Sequence, residues 1–258
     1  MTLIVGFIHK DSVHIIADSV STRIKNAYID FKPIKKVSSF GEPTVSNDEV
    51  LIEESDQKIY SLEDRIIISY SGNVAKGNSV LIDLKNKLAE IDTDKITEYL
   101  INYFKLKAPK DVAFIIGYFD NKKPKMLTFD SAARKIVIND AEGSFAQFGI
   151  GTQIDHLSSA LITILKNFSK EGHSNEAFSL GITSFLQSAA INNLSHELGV
   201  GGFFNGVFVN NEGVSWTPDS INILCSSRAF EKALSLGTVF KLNLKGAVAI
   251  HFSEGTFV

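Results

Sequence analysis

Cysteine is nearly absent. Cys225 stands alone in 258 residues, which excludes an intramolecular disulfide framework and a cysteine-based zinc site. Long apolar runs are missing too: no window approaches the roughly 18 uninterrupted apolar residues of a membrane helix. The opening Met-Thr-Leu-Ile-Val-Gly-Phe-Ile-His-Lys lacks the basic segment, long apolar stretch and cleavage site of a secretory signal. A soluble, cytoplasmic protein is expected. Charge of one sign is not in excess, with 26 basic against 29 acidic residues and a net charge of -3, so nothing electrostatic favours nucleic acid or an anionic membrane. No linker rich in Gly, Ser or Pro divides the chain, and one domain over residues 1–258 is expected. What is present is ordinary globular material, 44% hydrophobic and 21% charged. At this length about 70–75% of the unfolded surface can be buried without a metal or disulfide.

The order of elements is legible from periodicity. Leu3–Ile8 and Val13–Ala17, separated by Lys10-Asp11-Ser12, predict a β-hairpin. Strand character fades through Ser19–Arg23, and Phe40–Ser55 has the composition of an exposed insertion. Arg65–Ser71 is a continuous apolar run ended by Gly72, which suits a strand covered on both faces. Val80, Leu81, Leu84, Leu88 and Ile91 fall at helical spacing, and Asp94 is placed to cap a second helix through about Leu106. Strands follow at 112–119, 125–129, 135–138 and 144–148, then helices over about 153–168 and 177–194. Strands return at 203–209, 214–216, 239–242 and 247–252. Blocks of hairpin strands and paired helices, rather than strict alternation, argue for antiparallel sheets with helices segregated outside them. The expected class is α+β: a four-layer αββα sandwich of two antiparallel sheets flanked by helix pairs.

Common catalytic templates are missing. There is no Gly-x-Ser-x-Gly elbow, P-loop or His-Glu-x-x-His. The histidines at 9, 14, 156, 173, 196 and 251 show no ligand spacing, so no metal is expected. Gly149-Ile150-Gly151 opens like a dinucleotide fingerprint, but Ile154 occupies the third glycine's place. A tight strand-to-helix turn accounts for it better, and no cofactor is expected.

The N-terminus carries more chemistry. Removal of Met1 would make Thr2 the first residue, joining a hydroxyl nucleophile to an α-amine of reference pKa about 7.7–8.0 that can take the hydroxyl's proton. A nearby lysine would favour the neutral amine, and a carboxylate would hold that lysine. Thr2 and Asp18 lie at the open end of one predicted hairpin, and Asp18 follows Ile15-Ile16-Ala17, an apolar setting in which a carboxylate needs a partner.

From Thr2 to Ser19 the sequence resembles the β-type subunits of the proteasome family, including the bacterial ring proteases, whose first strand begins at a catalytic threonine and whose next strand closes on an aspartate. Asp56–Asp64 followed by Ile66–Gly72 resembles the family's segment from catalytic lysine to substrate-binding glycine. Gly149-Ile150-Gly151 stands where the family has Gly-Ser-Gly, and Gly201–Val214 is similar to its Gly-Gly turn, strand and hairpin. The resemblance runs collinearly over about residues 2–216. It implies the N-terminal nucleophile (Ntn) hydrolase fold and a threonine-type peptidase. In that mechanism Thr2 attacks, Lys58 tunes it, Asp18 orients Lys58, and the Gly72 N–H stabilises the oxyanion. Thr22 would pair with an extended peptide substrate, with a homo-oligomeric ring as the further implied assembly; ring size and any ATP-dependent unfoldase partner are not legible in the sequence. Lys35 and Lys36 are rivals to Lys58, because their Lys-Lys-Val resembles the bacterial version.

Departures from the family are specific. Ile150 replaces the serine between the glycines, with Thr152 the nearest hydroxyl; Glu197 aligns with an aspartate, and Val200 with a serine. Residues 218–258 extend beyond the family core. A non-catalytic ring subunit of the same fold, and an unrelated nucleotide-binding domain built on Gly149–Gly151, remain alternatives.

Overall fold

The computed structural model describes residues 2–24, 50–54, 57–107, 109–120, 123–149, 157–170, 172–192, 200–217, 220–222 and 239–241. Among these residues the fold is mixed α+β, with two five-stranded antiparallel sheets, two two-stranded ribbons and four α-helices. The first sheet has the order β10 (Phe145–Gly149), β1 (Leu3–His9), β2 (Ser12–Asp18), β11 (Phe204–Asn210), β12 (Gly213–Trp216). The second runs β5 (Ile59–Leu62), β6 (Ile66–Gly72), β7 (Val112–Asp120), β8 (Lys123–Asp130), β9 (Lys135–Asn139).

Side-chain alternation explains the continuous apolar runs. In β1, Leu3, Val5 and Phe7 pack beneath helices α3 (Leu157–Lys170) and α4 (Asn175–Asn192), against Leu161, Phe178 and Ile182. Ile4 and Ile8 of the same strand meet Ile67, Ile115 and Met126 of the second sheet. In β6, Ile66, Ile68 and Tyr70 turn the other way, onto α1 (Val74–Leu88) and α2 (Ile96–Lys107). Each of these strands is covered on both faces, so period 2 is hidden in sequence. The contacts stack helices, sheet, sheet, helices, in keeping with the expected sandwich. Asn73 caps α1, its Oδ1 accepting from Lys76 N at 3.1 Å. Among the described residues no helix is long and apolar enough to cross a membrane.

Several expectations are corrected. Val20–Ile24 forms β3 where strand character was expected to fade, and it pairs with β4 (Val50–Glu54), cut from the end of the expected insertion. Polar residues such as Ser21, Arg23, Glu53 and Glu54 conceal this ribbon. Asp94 does not cap α2; it lies inside a 3₁₀ turn, Thr93–Lys95, that leads into the helix. Ser220–Asn222 adds β13, too short to signal, paired with β14 (Val239–Lys241) in the extension. The strand expected at 247–252 lies outside the described residues.

The face of β2 under α4 also carries a buried histidine. His14 stacks on Phe7 at 4.9 Å and lies 5.2 Å from Phe208. Desolvation, reinforced by neighbouring His9 and opposed by Asn175, lowers its pKa from 6.5 to about 3. The unfolded chain therefore takes up a proton near pH 6.5 that the fold refuses, so stability is full above that pH and is lost as pH falls toward 3. Between pH 7 and 4 this one group costs about 3 kcal/mol. Urea unfolding of His14→Leu should show a pH dependence shallower by that amount; an unchanged slope would remove His14 as the cause.

Candidate active site

Pairing of β1 with β2 sets Ile4 opposite Ala17, so Thr2 and Asp18 emerge at the same end of the hairpin. Both are buried. A buried carboxylate needs donors, and Asp18 has three. Leu3 N–H donates to Oδ1 at 2.9 Å, Lys58 Nζ donates to the same oxygen at 2.6 Å, and Gly201 N–H donates to Oδ2 at 3.2 Å. Burial holds the Asp18 carboxyl above its ordinary range, and the Lys58 ammonium and the two amides offset only part of that push. A protonated acid would need an acceptor for its own O–H. Every recorded partner is a donor, so the ionised carboxylate is the form that matches these surroundings.

Lys58 reaches the site from the second sheet, just before β5. Its ammonium also donates to the Val20 carbonyl oxygen, and only 6% of the residue is exposed. Its backbone is held as well, because the Ser69 hydroxyl donates to the Lys58 carbonyl at 2.7 Å. Lys58 Nζ and Leu3 N share one acceptor atom, so they can be no farther apart than the sum of those two bonds. A buried cation thus sits beside the first residues of the chain. It lowers the energy of negative charge developing there and opposes protonation of an amine.

Two glycines close strands in the left-handed region, and the second of them lies against Thr2. Gly72 closes β6 at φ +118°, and a Cβ there would lie 2.2 Å from the Asp111 carbonyl oxygen. Gly149, paired with Leu3, has φ +101°, and its Cβ would lie 1.8 Å from the Thr2 carbonyl oxygen. Both positions are closed to any side chain. Gly149 ends an edge strand that runs antiparallel to β1, so it does not belong to the parallel βαβ unit that a dinucleotide fingerprint requires. Among the described residues no group of three or more His, Cys, Asp or Glu is placed to hold a metal.

The structure therefore brings together Thr2, Asp18 and Lys58, with Gly72 and Gly149 at the ends of their strands. Thr22 stands in β3 opposite Ile52, its hydroxyl oxygen buried without a hydrogen-bond partner among the described residues. Glu197, Thr152, Ile150, Lys35 and Lys36 lie outside the described residues. Val200 is buried in the apolar layer under α3 and α4. Sequence reasoning missed Ser69 and the two amides on Asp18. Backbone donors have no residue signature, although Gly201-Gly202 marked where one would be. No protein-family model matches the chain, and no curated protein matches it.

Proposed function

We propose that this chain is a threonine-type N-terminal nucleophile hydrolase with the proteasome-type Ntn fold, a peptidase that uses Thr2 once Met1 is removed. The observation that carries this reading is the buried Lys58–Asp18 pair, tied through one carboxylate oxygen to the amide that follows Thr2. The Thr2 α-amine takes the proton from Oγ as Oγ bonds to the scissile carbonyl carbon. The carbonyl π electrons move to oxygen, where the Gly72 N–H is the candidate donor. Collapse breaks the C–N bond, the ammonium returns its proton to the departing amine, and an ester on Thr2 remains. Water attacks that ester with the amine again as base, releasing the acid and restoring the hydroxyl. Lys58 keeps the amine neutral and Asp18 keeps Lys58 in place. An extended peptide is the substrate, running beside Thr22 on β3. Assembly into a closed ring comes with the family resemblance.

A second reading is favoured by one feature: Val200 puts an apolar side chain where the family has a hydroxyl, which suits a structural subunit of the same fold that no longer cuts. Intact-mass measurement with an epoxyketone or β-lactone separates the two. The hydrolase loses Met1 and gains one adduct, and Thr2→Ala gains none. Retained Met1, or an absent adduct on the processed chain, would establish the structural subunit instead.

A further inference from the structure

We propose that Gln187 is a positioning residue for the Asp18–Lys58 pair, acting from α4 through the backbone of residues 201–204. This rests on the hydrolase reading above and names a part of its site that neither sequence motif nor resemblance indicates.

Gln187 is buried in a helix whose inward neighbours Phe178, Ile182, Leu186 and Ala190 are apolar. An amide in such a layer is costly unless both of its ends are satisfied. Here both ends go to one short stretch of main chain. Nε2 donates to the Gly202 carbonyl at 2.8 Å, and Oε1 accepts from Phe204 N at 3.3 Å. The stretch needs a clamp, because Gly201 and Gly202 adopt φ of 143° and 65° and glycine restrains neither. From the other side Ser19 completes the grip, its hydroxyl accepting from Phe203 N at 2.8 Å and its own N–H donating to the Gly201 carbonyl at 3.4 Å. What the clamped turn presents is Gly201 N–H, aimed at Asp18 Oδ2. Gln187 thus does not touch the reacting atoms; it sets one of the three donors that keep Asp18 ionised and its other oxygen directed at Lys58. Leucine would fill the space but leave the glycine turn held from the Ser19 side alone, so that Gly201 N–H is less closely aimed.

The test follows the Asp18 carboxyl directly, by 13C NMR titration of aspartate-labelled protein, with its signal assigned by its loss in Asp18→Asn. In Gln187→Leu the Asp18 midpoint should rise by about one pH unit, the size expected for one lost amide donor. Gln187→Met, of similar length and without the amide, should match it and serves if the leucine variant does not fold. With a fluorogenic peptide, kcat should fall about tenfold while KM changes little, as for a displaced but intact catalytic group. An unmoved Asp18 midpoint in a folded variant overturns the proposal, whatever happens to the rate. If the parent protein shows neither hydrolysis nor adduct, the hydrolase reading fails, while the titration still decides whether Gln187 governs Asp18.

Discussion

Lys58→Met should abolish peptide hydrolysis, by about 10³-fold or more in kcat/KM, and lower the unfolding free energy by about 3–5 kcal/mol. Methionine keeps much of the length and apolar stem of lysine, so packing changes little and the effects report on the charge. The stability loss arises because Asp18, 1% exposed, is left as a buried carboxylate with two amides and no cation. The rate loss has a separate cause: without the ammonium the Thr2 amine is more readily protonated and charge on Oγ is uncompensated. Adding Asp18→Asn to Lys58→Met removes the stranded charge, so the double variant should recover much of the stability and none of the activity. Denaturant titration and a fluorogenic peptide assay read both quantities. A Lys58→Met protein that still cuts would end the assignment of Lys58.

Gly149→Ala should cost about 2–4 kcal/mol and slow hydrolysis by about 10²-fold, although residue 149 performs no chemistry. The added methyl would fall 1.8 Å from the Thr2 carbonyl oxygen, and Gly149, paired with Leu3, closes the β1–β10 ladder. The conflict is relieved only by moving Thr2 or breaking the pairing. Gly143→Ala supplies the control. It has φ +78° but open space where the methyl would go, so it should show backbone strain alone, about 1 kcal/mol, with an unchanged rate. Equal effects from the two substitutions would mean that the contact with Thr2 does not matter.

The candidate site was legible in the sequence where it depends on neighbours along the chain. The Leu3–Ala17 hairpin sets Thr2 and Asp18 at one end whatever the rest of the chain does, because antiparallel pairing around a short turn fixes who faces whom. Strands such as Ile66–Tyr70 declared themselves as unbroken apolar runs, and α1 by its 3–4 spacing. The ribbon of β3 and β4 stayed hidden, since Ser21, Thr22, Glu53 and Glu54 look like loop. For Lys58 the motif frame named the residue over Lys35 and Lys36, because those two precede the insertion and lack the following apolar run that ends in Ser71-Gly72.

Residue order was thus not sufficient for the polar ribbon of β3 and β4 or the short β13, but it was for the strongly apolar strands and the amphipathic helices, the antiparallel class and the pairing of the first two strands. These follow from polar and apolar alternation and from turns of a few residues, both local properties. Three-dimensional packing was needed to bring the ammonium of residue 58 across from the other sheet, and to aim the amides of Leu3 and Gly201 at one carboxylate. It also set the backbones of Gly149 and Thr2 too close for a methyl group. Those contacts join segments distant in the chain, several of them through main-chain atoms common to all residues, and such atoms acquire a role only from position.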